Sequence, residues 1–158
     1  MADRAGRIAL AAGLWISASL LPGAAVRAAD PAPQADYEAG RTLFEGAADL
    51  RGRIRTHLAD LPPAVVRCGN CHAVAAGPEI PRSLAPRLTR DLLLKARSRR
   101  GGPASFYDGV SFCTLLRAGV DPAHVVISVE MPMYTVSDAE CRALWRFTTG
   151  GAHATPAD

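Results

Sequence analysis

The sequence lacks the patterns that mark the commonest enzyme classes. It contains no glycine-rich nucleotide loop, no arrangement typical of a hydrolase triad and no carboxylate pair suited to acid–base catalysis. It also lacks an apolar run of the roughly 20 residues that a transmembrane helix needs. We therefore assign no catalytic residues and do not expect an enzyme.

Cysteine is sparse, and its placement is informative. Of the four cysteines, only Cys68 and Cys71 form a C-x-x-C pair, and His72 follows directly. C-x-x-C-H is the attachment signature of a c-type haem, because two thiols one turn apart can each add to a vinyl group of the porphyrin. The adjacent imidazole of His72 would be the proximal iron ligand. We therefore expect one covalent haem c.

The first 28 residues have the layout of a secretory signal peptide. Arg4 and Arg7 precede an uncharged apolar run over residues 8–21, and Val26 and Ala28 stand at the minus-three and minus-one positions of a cleavage site. Cleavage would release the protein into the bacterial periplasm, outside the cytoplasm, where covalent haem attachment takes place. The alternative is an uncleaved N-terminal anchor, which would keep the protein at the membrane.

The chain also has only a small excess of positive over negative charge. The formal charge is +3, and it falls to +1 without residues 1–28, because that segment holds three arginines and one aspartate. Two haem propionates would bring the total close to neutral. Bulk charge therefore gives little support for a nucleic-acid partner.

A zinc site and a redox dithiol are the other sites that can contain a C-x-x-C pair. A zinc site would have to recruit Cys113 and Cys141, which do not form a second C-x-x-C pair, and it would leave His72 without a role. In an exported protein, two remaining cysteines are more often a disulfide than a metal site. We predict a disulfide between Cys113 and Cys141.

One domain is expected over residues 36–150, after a mobile arm over 29–35 and before a frayed tail over 151–158. Residues 46–66 are predicted to be a surface excursion, because Pro62-Pro63 breaks any long helix. At most one short helix, near residues 50–58, is expected there.

Four other helices are predicted. The first begins near Asp36, the second spans Thr89–Arg97, and the third spans Phe106–Ala118 with Gly119 as C-cap. The last helix starts with a capping box formed by Ser137 and Glu140 and ends at Gly150.

The proline-rich segment over residues 73–86 is expected to be an irregular loop beside the haem motif. Such a loop can offer a carbonyl to the second ring nitrogen of His72, which fixes the tautomer of the ligand. Pro86 is the favoured source, with Pro78 and Pro81 as alternatives, and Leu88 is expected to pack against the porphyrin.

Seven basic residues and one acidic residue fall between residues 82 and 100. Three explanations remain open for this charge. It can be a solvated face, it can include contacts from Arg87 and Arg90 to the haem propionates, or it can form a docking patch for an acidic redox partner.

Met131 and Met133 flank Pro132 shortly before the last helix. A thioether is a soft neutral ligand that suits haem iron opposite a histidine and raises the potential. Methionine also fills core gaps, so a packing role is the alternative. His57 and His124 are weaker candidates for the second axial ligand.

The order of these features resembles that of a class I cytochrome c. Gly40 and Phe44 share a face of the first helix, the C-x-x-C-H motif follows, then Met131-Pro132, and the last helix carries Leu144 and Phe147. The resemblance implies an all-α bundle of short helices wrapped around one haem, with the first and last helices crossing. It also implies Met131, rather than Met133, as the distal ligand. The 23 residues between Phe44 and Cys68 depart from compact members of the family.

The leading hypothesis is a periplasmic electron-transfer protein. It would pass single electrons from a dehydrogenase, or another donor, to an oxidase or another cytochrome. A haem enzyme or gas sensor with an open distal site is the alternative, and it requires that Met131 not bind the iron. A structural zinc protein using the four cysteines is a third possibility.

Overall fold

The computed structural model describes residues 31–74 and 85–150. Its elements, in chain order, are α1 (Pro31–Glu45), β1 (Arg51–Arg53), a single 3-10 turn (Cys68–Asn70), α2 (Arg90–Leu94), α3 (Gly109–Ala118), β2 (Met133–Thr135) and α4 (Asp138–Thr148). Within the described ranges, no helix combines the length and apolarity needed to cross a membrane. The signal-peptide segment, residues 29–30 of the arm, the loop prolines Pro78 and Pro81 and the tail over 151–158 lie outside the described residues.

The prediction of an all-α fold is wrong, because the structure contains a two-stranded antiparallel sheet. Strand β1 pairs with β2, so that Arg51 lies opposite Thr135 and Gly52 lies opposite Tyr134. Strand β1 stands where a short helix was expected. Gly52 suits this position, because a Cβ atom there would meet the Tyr134 ring at only 3.1 Å.

Helices α1 and α4 pack closely against each other, with Gly40 facing the backbone of Ala143. A Cβ atom on Gly40 would overlap the backbone carbonyl of Ala143, so only glycine allows this approach. Beside the crossing, the rings of Phe44 and Phe147 lie 5.2 Å apart, and Asp36 accepts a 3.0 Å bond from Arg142. The predicted contact between the first and last helices is therefore present.

Helix α1 begins at Pro31, five residues before the predicted start at Asp36. The predicted mobile arm is therefore wrong for residues 31–35. Proline is compatible with the first turn of a helix, because the N–H groups of that turn have no intrahelical acceptor in any case. Pro31 and Pro33 both fall in this turn, and the alanines around them favour helix.

The helix ends follow their local sequence closely. Ser137 and Glu140 form the predicted capping box of α4, and Gly119 ends α3 in the left-handed conformation with φ of 64°. A second capping box, between Asp108 and Ser111, starts α3 later than the predicted Phe106. Helix α2 begins after Thr89, which caps it, and ends at Leu94 instead of Arg97.

Residues 46–66 lie mostly at the surface, and a few contacts anchor them to the body of the protein. Strand β1 joins them to β2, and the Arg55 guanidinium donates to the carbonyl of Gly119 at 2.9 Å. The Tyr134 hydroxyl donates to the carbonyl of Val66 at 2.9 Å, and Val66 is only 1% exposed. These contacts place the segment directly beside the C-x-x-C-H turn.

We expect Tyr134→Phe to lower the free energy of unfolding by about 1–2 kcal/mol, because the buried Val66 carbonyl loses its donor. Urea unfolding followed by circular dichroism measures this change. Tyr37→Phe is the matched control, since the Tyr37 hydroxyl has no hydrogen-bond partner among the described residues. Equal losses in the two variants would show that the Tyr134–Val66 bond does not stabilise the fold.

Candidate functional site

The C-x-x-C-H motif forms a single tight turn. The backbone N–H groups of Cys71 and His72 both donate to the carbonyl of Cys68, at 3.1 and 2.8 Å. The Asn70 side chain donates to the carbonyls of Ala64 and Val65, which ties the turn to the preceding segment. Cys68 is half-buried and Cys71 is exposed, and both are thiols outside any disulfide. The turn therefore presents two sulfurs of different exposure at the edge of the protein interior.

His72 is oriented by the carbonyl of Pro86, the partner that sequence analysis favoured. Its Nδ1 lies 2.8 Å from the carbonyl oxygen of Pro86. The segment that carries Pro86 is held beside the motif because Leu88 N donates to Ala73 O at 2.7 Å, and Val74 and Leu88 form a parallel bridge. A hydrogen bond from Nδ1–H to Pro86 puts the lone pair on Nε2. Burial lowers the pKa of His72 and favours the neutral ring, although the Pro86 carbonyl opposes this.

Two adjoining cavities border this turn, with volumes of about 350 and 420 Å³. Both volumes are in the range of pockets for small cofactors. The residues that line both cavities are Cys68, His72, Pro86, Arg100, Met131 and Tyr134. The remaining wall of the first cavity is mainly apolar and includes Phe44, Leu88, Leu93, Phe112, Leu116 and Leu144. Cys71 and the wall residues Ile54, Leu61, Val65 and Val66 contribute to the second cavity.

Only one of the two methionines lines these cavities. Met131 borders both of them, whereas Met133 lies in β2 opposite Arg53 and borders neither. His57 and His124 also line neither cavity. The structure therefore brings Met131 and His72 to one space and leaves the other candidate axial ligands outside it.

Tyr134 and Cys68 meet at the boundary between the two cavities. Burial raises the pKa of Cys68 to about 11, and a hydrogen bond with Tyr134 partly offsets this increase. Burial raises the pKa of Tyr134 too, and Cys68 adds to the effect. Cys68 is therefore a protonated thiol at neutral pH, which is unlike the activated thiolate of a redox dithiol.

The two arginines predicted to contact the propionates are not at the cavities. The Arg87 guanidinium donates to the carbonyl of Val74 at 2.7 Å, and the Arg90 guanidinium lies 3.4 Å from the carbonyl of Thr149. Neither side chain borders either cavity. Three other arginines, Arg97, Arg99 and Arg100, line the first cavity. The backbone path through residues 95–105 decides which arginines border the cavity, and residue spacing does not show that path.

Cys113 and Cys141 form the predicted disulfide, which joins α3 to the first turn of α4 with 5.6 Å between the Cα atoms. Cys141 is fully buried. The bond closes a loop of the chain that contains Met131, so it limits how far this loop can move from α3 and α4. It also leaves only Cys68 and Cys71 as thiols, which is too few for a four-cysteine zinc site.

Comparison with protein-family models, with curated proteins and with solved structures returned no match. The case for a function therefore depends on the chain's own residues. Among the described residues there is no cluster of three or more histidine, cysteine, aspartate or glutamate side chains placed to hold a bare metal ion. The combination that is present is an imidazole, a thioether and two thiols around an apolar space. Such a donor set fits haem iron bound by one histidine and one methionine.

Proposed function

We propose that this protein is a c-type electron-transfer protein of the bacterial periplasm. In this proposal one haem is attached through Cys68 and Cys71, with His72 and Met131 as axial ligands. The observation that carries it is the shared lining of the two cavities, because Cys68, His72 and Met131 all border both. Its partners would be a donor such as a periplasmic dehydrogenase and an acceptor such as an oxidase or another cytochrome.

The cavity residues fit the proposed group in polarity as well as in ligand chemistry. The wall of the first cavity is largely leucine and phenylalanine, which suits the apolar porphyrin ring. Across the two cavities, the charged lining residues are Arg67, Arg97, Arg99, Arg100, Asp121 and Glu130. Four cations against two anions leave an excess of two positive charges, which matches the two carboxylates of the porphyrin periphery.

In this proposal, each part of the chain has a defined task. The Pro86 carbonyl holds His72 in one tautomer and one orientation. The apolar side chains exclude water, and the disulfide restrains the loop that carries Met131. When bound, the haem supplies an iron that accepts and releases one electron. With both axial positions filled by protein side chains, no site is left for a substrate, so electron transfer is favoured over catalysis or gas sensing.

Expression in a bacterial host that matures c-type cytochromes tests the attachment. After denaturation and removal of loose haem, the protein should keep its colour and exceed the polypeptide mass by one haem. A Cys68→Ala/Cys71→Ala variant should be colourless after the same treatment and should have the polypeptide mass. Met133→Ser is the matched control, since this residue borders neither cavity. A colourless wild-type protein with the bare polypeptide mass would refute the proposal.

A further inference from the structure

Three consecutive backbone carbonyls just before the C-x-x-C-H turn accept side-chain hydrogen bonds from two different parts of the chain. The Asn70 side chain donates to the carbonyls of Ala64 and Val65, at 2.9 and 3.1 Å. The Tyr134 hydroxyl donates to the carbonyl of Val66 at 2.9 Å. We call the three accepting residues the bracket. The bracket is therefore bonded to the haem motif through Asn70 and to strand β2 through Tyr134.

The bond between Tyr134 and the bracket lies in the protein interior. Tyr134 is only 6% exposed and Val66 only 1%. The Tyr134 hydroxyl is also within hydrogen-bond reach of the Cys68 sulfur. On the neighbouring strand, Gly52 lies opposite Tyr134, and a Cβ atom there would be 3.1 Å from the ring. If the ring moved away, the buried Val66 carbonyl would lose its donor, so the Tyr134 side chain is held against the bracket.

Met131 stands three residues before Tyr134, so the position of Tyr134 restrains it. Pro132 follows Met131 directly and fixes one backbone dihedral angle between them. On the other side, Met131 N donates to the carbonyl of Ser128 at 3.2 Å. The disulfide ties this loop to α3 and α4. Tyr134 ties it to the segment that leads into the C-x-x-C-H turn, which the disulfide does not reach.

We propose that the bracket, through Asn70 and Tyr134, holds Met131 at the iron by fixing the position of the methionine loop relative to the C-x-x-C-H turn. The inference rests on the proposed function and deepens it, and it gives a role to the long segment before Cys68. Asn70 and Tyr134 are positioning residues, since neither supplies a ligand. A ligand whose backbone is already held in place loses less conformational freedom on binding, so the iron–sulfur bond opens less readily.

Imidazole tests this restraint, because it binds ferric haem iron only after Met131 has left. Tyr134→Phe keeps the aromatic ring and removes the hydroxyl that donates to Val66. The variant should bind imidazole roughly five- to thirty-fold more tightly than wild type, since the methionine-bound state loses one buried hydrogen bond. Titration of the ferric protein with imidazole, followed by the loss of the sulfur-to-iron charge-transfer band, measures the affinity. Asn70→Ala should change the affinity in the same direction.

The double variant Asn70→Ala/Tyr134→Phe tests whether the two side chains act through the same bracket. Once the bond from Tyr134 is lost, the bonds from Asn70 no longer act on the methionine loop. The double variant should therefore bind imidazole as tightly as the tighter of the two single variants, within about twofold. If the fold-changes of the single variants multiply instead, the two residues act independently and the shared bracket is refuted.

Two controls separate positioning from a general loss of stability. Tyr37→Phe removes a hydroxyl that has no hydrogen-bond partner among the described residues, so its imidazole affinity should equal that of wild type. Asp108→Ala removes the cap of α3 and borders neither cavity, so the urea midpoint should fall while the affinity stays unchanged.

The outcomes distinguish the inference from the proposed function. If Asp108→Ala tightens imidazole binding as much as Tyr134→Phe does, general destabilisation explains the effect and the positioning role is refuted. If haem is attached but Tyr134→Phe binds imidazole as wild type does, the inference is refuted and the proposed function stands. If wild-type protein contains no covalent haem, both are refuted.

Discussion

In the proposed haem protein, replacing Met131 with alanine is expected to remove one axial ligand of the iron and to lower the reduction potential. The expectation follows because Met131 borders both cavities together with His72. A thioether stabilises the ferrous state, and its loss leaves water or no ligand in its place. The ferric spectrum should lose the sulfur-to-iron charge-transfer band. The decrease in potential should exceed the change caused by Met133→Ala, since Met133 borders neither cavity.

Two further variants separate ligation from packing. Met131→Leu keeps most of the side-chain volume, so it should lose the charge-transfer band just as Met131→Ala does. Met133→Ala should keep the band, because Met133 lies in β2 opposite Arg53 and does not face the cavities. If Met131→Leu retains wild-type ligation, Met131 is a packing residue. An open distal site, as in a haem enzyme or gas sensor, would be indicated by a wild-type ferric spectrum that lacks the band.

The features that sequence analysis predicted correctly depend on short stretches of chain. The capping box at Ser137 and Glu140 and the C-cap at Gly119 each involve residues within one helical turn. The same holds for the backbone of the C-x-x-C-H turn, since the N–H groups of Asn70, Cys71 and His72 donate to the carbonyls of Arg67 and Cys68. Local geometry of this kind is determined by residue type and spacing, so the sequence alone is sufficient.

The features that sequence analysis missed depend on contacts between segments that are distant in the chain. Strand β1 is three residues long and reads as a polar loop, and its partner β2 is roughly 80 residues away. Such a strand has too little alternation to be detected, and its pairing is set by tertiary packing. The arginines at the cavity were missed for a related reason. The turn at Arg100, and not the spacing along a helix, decides that Arg97, Arg99 and Arg100 border the first cavity while Arg87 and Arg90 do not.

The contact between α1 and α4 lies between these two cases, because a family resemblance predicted it but nothing local requires it. Gly40 stands in the interior of α1, where glycine costs about 1 kcal/mol relative to alanine by helix propensity. Glycine is nevertheless needed here, because the Ala143 carbonyl occupies the space that a Cβ atom would take. The packing of the two helices, rather than the helix itself, thus determines the residue at position 40.

Gly40→Ala is therefore expected to destabilise the protein by about 2–4 kcal/mol, despite the better helix propensity of alanine. The added methyl group would meet backbone atoms of Ala143, which cannot rotate away as a side chain could, so the two helices must separate. Their separation would also weaken the contact of Phe44 with Phe147. Urea unfolding followed by far-ultraviolet circular dichroism measures the loss.

Gly109→Ala makes the same chemical change at the start of α3, where a Cβ atom would lie 3.7 Å from the Trp145 ring, an ordinary contact distance. This variant should be neutral or slightly more stable, because it gains helix propensity without a clash. The difference between the two glycine variants isolates the steric cost of the helix contact. If Gly40→Ala is as stable as Gly109→Ala, α1 and α4 do not approach as closely as described, and Phe44, which lines the first cavity, loses its support from the crossing.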